Sequence, residues 1–514
     1  MSILRYTASI DNTITNAFKE DLKTRATDAN MGQSDILEVF SIYDQARPNL
    51  TSSVELSRAL IQFPVEQIST DRTAGKHSLG AVNFILKMYD APHGQTVPSS
   101  YTMTVAPITK QWEEGYGLDM EEYTDVVLSG NIGSTWMTSS ADIGWSSVGG
   151  DYNNSDAVTA TFTTGQEDLE VDITSIVEKW ILGSEAGGAE NYGLGVRFSD
   201  AYEGYFSSST GENEDSIIHN TSGQKKSYYT KKFFGRGTEF FFARPVIEAQ
   251  IATVRKDKRG NFQISSSALP AANNKNKIYY YNYSQGALVD VGGDSTAQPI
   301  LSLYYSTGTV PTGEPRGFLR ASDNSAQTSI SATRESAGVY YAEIAATSSI
   351  VDSDYPYLID VWSMPDGTQF HTGSGITLTS HSPSNVRSDK NYVVSMPNLK
   401  KKYKRDQSAR LKIYAREKNW SPNIYTKAQN SAENLIIEDA IYKVIRTVDN
   451  QVVIKYATGA IKYTSLSYDS SGNYFDLDMS LFESGYEYAI CLSFYDPYVG
   501  SYVEQSQKFK FRVE

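Results

Sequence analysis

The sequence predicts an all-β protein built from several domains. Its 514 residues exceed what one ordinary core holds, and at roughly 150 residues per domain they divide into three or four domains. Alternating apolar and polar residues recur in short segments such as 101–105, 158–163 and 411–416, and a period of two residues is typical of half-buried strands. Tyrosine leads the aromatic residues, with 36 Tyr against 20 Phe and 6 Trp, which favours all-β domains.

One short helix is predicted among these strands. Apolar residues within 173–180 fall at i, i+3, i+4 and i+7 and so form a single stripe along a helix. Asp172 can cap its start, and Gly183 is placed to end it. We therefore expect a short, half-buried helix here.

Two segments carry the residue pattern of a tyrosine corner, in which a Tyr near the start of a strand hydrogen-bonds back to the preceding connection of a Greek-key sandwich. They are residues 336–340 and 481–488, and the second is similar to the late-strand corner of fibronectin type III domains. Each corner implies a sandwich of its own. We therefore expect an immunoglobulin-like β-sandwich over residues 251–380 and a fibronectin-III-like β-sandwich over residues 381–514.

The N-terminal half carries a series of landmark segments in a fixed order. They are residues 57–63 (SRALIQF), 111–114 (QWEE), 134–136 (STW), 171–180 (VDITSIVEKW), 191–194 (NYGL) and 244–248 (RPVIE). In this order they resemble the DNRLRE (disaggregatase-related) β-sandwich domain. Such domains are non-catalytic, carbohydrate-binding jelly rolls of secreted or cell-surface proteins. The resemblance implies a jelly-roll-like domain over residues 1–250.

Charge and apolar patterning exclude several classes of partner. The chain has 46 Lys and Arg against 60 Asp and Glu, a formal net charge of −14, so the whole molecule is not built to coat DNA or an anionic membrane. Its apolar stretches fall far short of the roughly 20 residues that cross a bilayer. The single cysteine, Cys491, excludes an internal disulfide framework. We expect neither nucleic acid nor membrane as a partner.

Motifs for catalysis are missing from the sequence. The five histidines lack the spacing of a zinc site, and residues 193–198 begin like a dinucleotide fingerprint but lack its third glycine. Glu113 with Glu114, and likewise residues 121–122, would point to opposite faces of a strand, so neither pair alone supplies an acid and a base. We expect a protein that is not an enzyme and that uses no cofactor and no metal.

The second half of the chain indicates the setting in which the protein works. Residues 411–420 and 463–469 are similar to structural proteins of large contractile-tailed phages of marine bacteria. The N-terminus lacks the charged start and apolar stretch of a secretory signal, although DNRLRE-like domains belong to exported proteins. Together these features predict a virion protein of the tail, baseplate or neck. We expect it to assemble in the host cytoplasm with other virion proteins and with further copies of itself.

A glycan is the alternative partner. Trp145 and Tyr152 lie among Gly and Ser residues of segment 144–154, where an exposed aromatic face could stack on a sugar ring. Trp112 and Trp136 could take part, but we interpret them as core residues because Trp is usually well buried. The alternative function is a carbohydrate-binding adhesin or receptor-binding module that recognises a host surface polysaccharide.

Two basic segments stand out in the acidic chain. Residues 400–418 hold nine basic residues against Asp406 and Glu417, and residues 225–234 interleave lysines with aromatic residues. Nucleic-acid binding is one interpretation; docking between subunits and a plain solvated face are two others, which we weigh equally. The residues proposed for an assembly interface are Lys400, Lys401, Lys402, Lys404, Arg405, Lys225, Lys226, Lys231 and Lys232.

Overall fold

β-Strands dominate the structure, a computed structural model that describes residues 2–45, 53–94, 97–118, 133–208, 216–264, 269–320, 322–379, 391–418 and 434–514. Within these ranges, 34 strands stand against two α-helices of nine residues each. The chain divides into two compact units, Ile3–Ala252 and Thr253–Glu514, here unit 1 and unit 2. The prediction of a multi-domain all-β protein is confirmed. No helix within the described ranges is long and apolar enough to cross a membrane.

Unit 1 contains thirteen described strands and both helices. The strands are β1 (Ile3–Thr7), β2 (Ile10–Thr15), β3 (Ile36–Tyr43), β4 (Val54–Gln62), β5 (Val82–Met88), β6 (Tyr101–Pro107), β7 (Thr138–Ser140), β8 (Ile143–Gly144), β9 (Val158–Phe162), β10 (Leu169–Asp172), β11 (Leu194–Phe198), β12 (Tyr228–Phe234) and β13 (Val246–Ile251). The helices are α1 (Val65–Thr73) and α2 (Thr174–Leu182).

Two antiparallel sheets form the sandwich of unit 1. One has the order β1-β13-β5-β10, and the other has the order β12-β3-β4-β11-β6-β9 with β2 paired to β4. The short strands β7 and β8 pair only with each other. Alternate side chains of both sheets meet in one core, to which Phe84 and Met103 belong, as the period of two along each strand requires.

Helix α2 confirms the helix predicted from the apolar stripe. Ile176, Val177 and Trp180 are buried, and they join the core between the two sheets. Asp172 accepts a hydrogen bond from the Thr174 backbone N–H at 2.9 Å, and Gly183 follows the last turn with φ of 75°, a value that favours glycine. Helix α1 has no comparable apolar stripe in the sequence, because its apolar residues are few.

A second apolar layer covers the outer face of the seven-stranded sheet. On β4, Ala59 and Ile61 point into the main core, whereas Leu56 and Leu60 point outward into a separate cluster that contains Trp112, Trp136, Trp145, Phe206 and Ile217. Strand β4 is therefore buried on both faces. The segments that supply this outer layer also form the walls of the candidate site.

Unit 2 contains the remaining strands. They are β14 (Phe262–Gln263), β15 (Asn276–Tyr281), β16 (Tyr283–Ser284), β17 (Ala287–Leu288), β18 (Ile300–Ser306), β19 (Phe318–Arg320), β20 (Ala326–Gln327), β21 (Ser329–Ser331), β22 (Thr333–Ser336), β23 (Val339–Ala345), β24 (Tyr357–Ser363), β25 (Gln369–Thr379), β26 (Tyr392–Ser395), β27 (Lys402–Tyr403), β28 (Ser408–Glu417), β29 (Ala440–Arg446), β30 (Val452–Ile454), β31 (Ser467–Asp469), β32 (Gly472–Asp478), β33 (Glu487–Asp496) and β34 (Ser501–Val513).

The sheets of unit 2 fall into two sets. In the first, β14-β25-β24-β18-β21 and β15-β23-β19-β20 enclose a core that includes Trp362. In the second, the orders are β26-β28-β32-β31 and β27-β34-β33-β29-β30. The domain boundary predicted between residues 380 and 381 lies outside the described residues.

Both predicted tyrosine corners make hydrogen bonds to earlier parts of the chain. The Tyr488 hydroxyl donates to the Glu483 carbonyl at 2.8 Å, which is the local contact that the sequence pattern predicts. The Tyr340 hydroxyl instead donates to Asp290 at 3.0 Å and accepts from the Val291 backbone N–H at 3.1 Å. Its partner is therefore a connection far earlier in the sequence than the one that precedes its strand.

Candidate functional site

A polar cleft of about 560 Å³ opens on the outer face of the seven-stranded sheet of unit 1. Strand β4 contributes Arg58 and strand β11 contributes Arg197, and the walls come from segments 146–154, 200–203 and 218–222. On β11, Leu194 and Val196 point into the core. Because side chains alternate along a strand, Arg197 points to the opposite face, where the cleft lies.

Tyr152 packs on the sheet at the cleft. A Cβ atom at position 195 would lie 2.0 Å from Cε1 of Tyr152, so only glycine lets the ring approach β11 this closely. The Tyr152 hydroxyl donates a hydrogen bond to the Gly149 carbonyl at 2.7 Å. Burial raises the pKa of Tyr152, and the hydroxyl therefore stays protonated near neutral pH. The ring is fixed before any ligand arrives.

Arg58 and Glu203 form a buried ion pair in the wall of the cleft. Nε of Arg58 donates to Oε1 at 3.0 Å and Nη2 donates to Oε2 at 2.7 Å. Nη1 donates to the Gly149 carbonyl at 3.0 Å, and the guanidinium lies 5.6 Å from the centre of the Tyr152 ring. Burial opposes the charged form, but Glu203 and Tyr152 together favour it more, so the pKa of Arg58 stays above its usual range. The pair is charged and mutually neutralised.

A second pair joins Arg197 to Asp200, with Nη1 2.5 Å from Oδ1. The side chain of Arg197 is 7% exposed and that of Asp200 is 66% exposed. Nη2 of Arg197 also reaches Oδ1 of Asn154 at 3.3 Å, and the guanidinium lies 5.9 Å from the centre of the Tyr152 ring. The guanidinium groups of both ion pairs, each neutralised by its carboxylate, thus lie near the Tyr152 ring.

Hydrogen bonds within the walls hold the remaining polar groups. Asp151 accepts from the backbone N–H groups of Ser146 and Ser147, both at 2.9 Å. Nδ2 of Asn220 donates to the Asp200 carbonyl at 2.7 Å. Nδ1 of His219 lies 2.7 Å from the Ser208 carbonyl. Since a carbonyl only accepts, Nδ1 carries hydrogen, and Nε2 of the neutral ring is an acceptor.

The arrangement suits binding through hydrogen bonds. Its two guanidinium groups are each occupied by a carboxylate, so neither Glu203 nor Asp200 is placed as a free acid or base. No group of three or more His, Cys, Asp or Glu residues that could hold a metal occurs in the part of the chain that the structure describes. Of the paired carboxylates considered from the sequence, Glu114 binds Arg236 at 2.6 Å, and residues 121–122 lie outside the described residues.

The structure separates the two aromatic residues predicted for glycan stacking. Tyr152 lines the cleft, but the expectation of an exposed Trp145 is wrong. Trp145 is 8% exposed, packs in the outer apolar layer and donates from Nε1 to the Thr135 carbonyl at 2.9 Å. Its Gly and Ser neighbours indicate a loop, but that loop is folded back over the sheet. Trp112 and Trp136 are buried core residues, as we interpreted them.

Lys231 is a further correction. Its side chain is 0% exposed, so it cannot contact a partner subunit. Nζ donates to Asp90 and to the Gly165 and Glu167 carbonyls, the latter two at 3.1 and 2.9 Å. The next residue, Lys232, is partly buried and lies 3.5 Å from Glu38. Alternation along β12 turns Lys231 inward, which a count of basic residues does not detect.

The other proposed interface lysines are exposed. Lys225 lies 4.6 Å from the centre of the Tyr205 ring, and Lys226 lies 5.2 Å from that of Tyr228. The exposed residues of the second basic segment are Lys400, Lys401, Lys402, Lys404 and Arg405. Among them, Lys402 pairs with Glu514 at 2.6 Å. Their exposure allows a contact with another molecule.

Charge is divided unevenly between the units. Unit 1 holds 18 Lys and Arg against 34 Asp and Glu, and unit 2 holds 28 against 26. Unit 1 thus has a formal net charge of −16 and unit 2 one of +2. The basic segment 400–405 belongs to the unit that has little net charge of its own.

Most of the cleft escaped sequence analysis. Arg58 directly precedes the apolar residues 59–61 of β4, which was a usable signal for a buried polar group. Its partner Glu203 is 145 residues away, so no local pattern joins them. Gly195 belongs to the failed dinucleotide fingerprint, and its role is instead to admit the Tyr152 ring.

No family model matches the chain, and no curated protein matches it. Among solved structures, the fibronectin(III)-like modules of Clostridium thermocellum CbhA are similar at 13% identity and a TM-score of 0.14, covering 51% of this chain and 92% of that one. The FN1-FN3 domains of chicken CNTN1 are similar at 9% identity and a TM-score of 0.15, covering 55% of this chain and 80% of that one.

Proposed function

We propose that the protein is a non-enzymatic structural component of a tailed-phage virion and that unit 1 contacts glycans through its cleft. The observation that carries the binding role is the cleft itself, where Tyr152 and the two ion pairs are held in place by hydrogen bonds. A rigid polar cavity of this kind binds a ligand without the cost of ordering its own side chains.

The assembly role is supported by the charge distribution. An acidic unit 1 and exposed basic residues 400–405 on unit 2 are complementary, and complementary charge directs encounter and register between subunits. The virion setting comes from the similarity of residues 411–420 and 463–469 to phage structural proteins. Repetition around a particle would strengthen weak glycan contacts by raising their effective concentration.

The virion role is tested by mass spectrometry of salt-washed particles of the source phage, combined with lysine crosslinking. Stoichiometric recovery, with crosslinks from Lys400, Lys401 or Lys404 to other virion proteins, is the expected result. A protein found free in the lysate and missing from the particles would contradict the virion role. The adhesin alternative would then lead, because the cleft does not depend on the particle.

The glycan contact is tested with the full chain on a glycan array. Tyr152→Leu should abolish binding because it removes both the aromatic face and the hydroxyl anchored on Gly149. Tyr229→Leu is the matched control, since Tyr229 is 46% exposed on β12 and does not line the cleft. Equal loss in both variants, or unchanged binding in Tyr152→Leu, would argue against this site.

A further inference from the structure

We infer that the cleft selects uncharged saccharides over anionic ones and that Asp200 sets this preference. The inference rests on the proposed glycan contact and adds the chemical class of the ligand. It follows from the charges that line the cleft, from which member of each ion pair faces solvent, and from the hydrogen-bonding groups that remain.

The charges of the cleft favour an uncharged ligand. Its lining contains two guanidinium groups, on Arg58 and Arg197, and three carboxylates, on Asp151, Asp200 and Glu203. The first guanidinium is neutralised by Glu203 and the second by Asp200. The third carboxylate, on Asp151, has no guanidinium of its own. A ligand carboxylate would therefore enter a cleft of net negative charge within a strongly acidic unit, where like charges repel.

An anion that approaches the cleft would meet a carboxylate before it meets a guanidinium. In the pair of Arg197 and Asp200, the guanidinium is buried and the carboxylate is the exposed member. An incoming anion would meet Asp200 before it could reach Arg197. To bind Arg197 it would have to displace Asp200 from a charge-assisted hydrogen bond. Arg58 is likewise shielded from an anion, because two of its nitrogens donate hydrogen bonds to Glu203.

The remaining polar groups match hydroxyls. Oδ1 of Asp200 is occupied by Arg197, while Oδ2 accepts no hydrogen bond from the described residues. Nδ2 of Asn154 is a donor and Nε2 of His219 is an acceptor on the same lining. A sugar hydroxyl both donates and accepts, so it can pair with either kind of group. A carboxylate only accepts, and it cannot satisfy Asp200 or His219.

The test uses pairs of oligosaccharides whose sugar units differ only at C6, which is a hydroxymethyl group in one member and a carboxylate in the other. The probes are oligomers of glucose, galactose and mannose, each matched with the oligomer of the corresponding uronic acid, which carries a carboxylate at C6. We expect the full chain to bind a neutral member about tenfold more tightly than its uronate. Tighter or equal binding of the uronate would overturn the inference alone. Failure to bind any neutral or acidic probe would overturn the glycan contact as well.

A variant pair assigns the preference to Asp200. Asp200→Asn keeps the shape of the side chain but leaves Arg197 without its carboxylate, so the affinity for the uronate relative to that for the neutral member should rise about tenfold. Glu185→Gln removes the same charge from an exposed position outside the cleft lining and should leave both affinities unchanged. Circular dichroism checks that each variant is folded. An unchanged ratio in a folded Asp200→Asn variant contradicts the assignment.

Discussion

The guanidinium of Arg58 donates two parallel hydrogen bonds, of 3.0 and 2.7 Å, to the carboxylate of Glu203, and both side chains are buried. The two residues stand 145 positions apart, so the pair fastens the loop that follows β11 to the centre of the large sheet. Paired guanidinium and carboxylate groups of this geometry are among the strongest hydrogen-bonded contacts in proteins. Both residues line the cleft, so this contact contributes to its shape.

Breaking that pair should destabilise unit 1 strongly. Arg58→Met leaves Glu203 as an unpaired buried charge and should lower the free energy of unfolding by about 3–5 kcal/mol. Urea unfolding followed by tryptophan fluorescence measures it, since Trp112, Trp136, Trp145 and Trp180 all lie in unit 1. Lys179→Met is the control, because Lys179 is 46% exposed in its pair with Asp156 and the substitution should cost less than about 1 kcal/mol. Equal losses would contradict the prediction.

Helix α2 could be predicted from the sequence, whereas the contacts of Arg58 could not. The helix is predicted by the spacing of Ile173, Ile176 and Trp180, which places them on one helix face in successive turns. This spacing is local information. The strands follow likewise from alternation. The cleft depends on which strands become neighbours and on how loops fold over the sheet, and these are contacts between distant residues. The burial of Trp145 likewise depends on a loop that folds back over the sheet, whereas the burial of Lys231 follows from its position along β12.

The buried ammonium of Lys231 should matter for folding rather than for assembly. Lys231→Met leaves Asp90 and two backbone carbonyls without their donor and should lower the free energy of unfolding of unit 1 by about 3 kcal/mol. Lys232→Met, one residue on and partly exposed, should cost less than about 1 kcal/mol. The same fluorescence-monitored urea titration compares them. A Lys231→Met variant as stable as Lys232→Met would show that the buried contacts of Lys231 do not stabilise unit 1.

Asp11 makes the stability of unit 1 depend on pH. Burial raises the pKa of Asp11 to about 7, with Glu114 adding to the rise and Arg236 opposing it. Between the unfolded pKa near 4 and the folded pKa, the folded state binds more protons than the unfolded state. Stability contributed by Asp11 is thus present below pH 4 and falls as pH rises to 7, by at most about 1.4 kcal/mol per pH unit.

Asp11→Asn should flatten this dependence. The amide oxygen can still accept from the Arg236 backbone N–H, as the carboxylate does at 2.6 Å, but it no longer titrates. Unfolding free energies measured from pH 4 to pH 8 should therefore fall less steeply for the variant than for the parent protein. Asp142→Asn, at an exposed turn, should keep the parent slope. Parallel curves for the parent and Asp11→Asn would exclude the role of Asp11.

Gly195 should be required for the shape of the cleft. The methyl group of Gly195→Ala would fall 2.0 Å from the Tyr152 ring, so the ring must move off β11, at a cost of about 1–3 kcal/mol in unit 1. Glycan binding should weaken in step. Gly94→Ala is a matched control, because a Cβ there meets no atom of the described residues within 4 Å. Wild-type binding and stability in Gly195→Ala would mean that Tyr152 does not pack where the structure places it.

Exposed lysines of segment 400–405 should contribute to assembly through charge. The triple variant Lys400→Glu, Lys401→Glu and Lys404→Glu turns a cationic patch acidic, so it should be repelled by the acidic surface that it is proposed to meet. We expect loss of incorporation into particles and loss of any self-association seen by analytical ultracentrifugation. The matched control changes Lys455, Lys462 and Lys508, which are exposed lysines of unit 2 outside the segment, and alters net charge equally. If both triples fail alike, net charge alone is responsible, and the segment has no specific docking role.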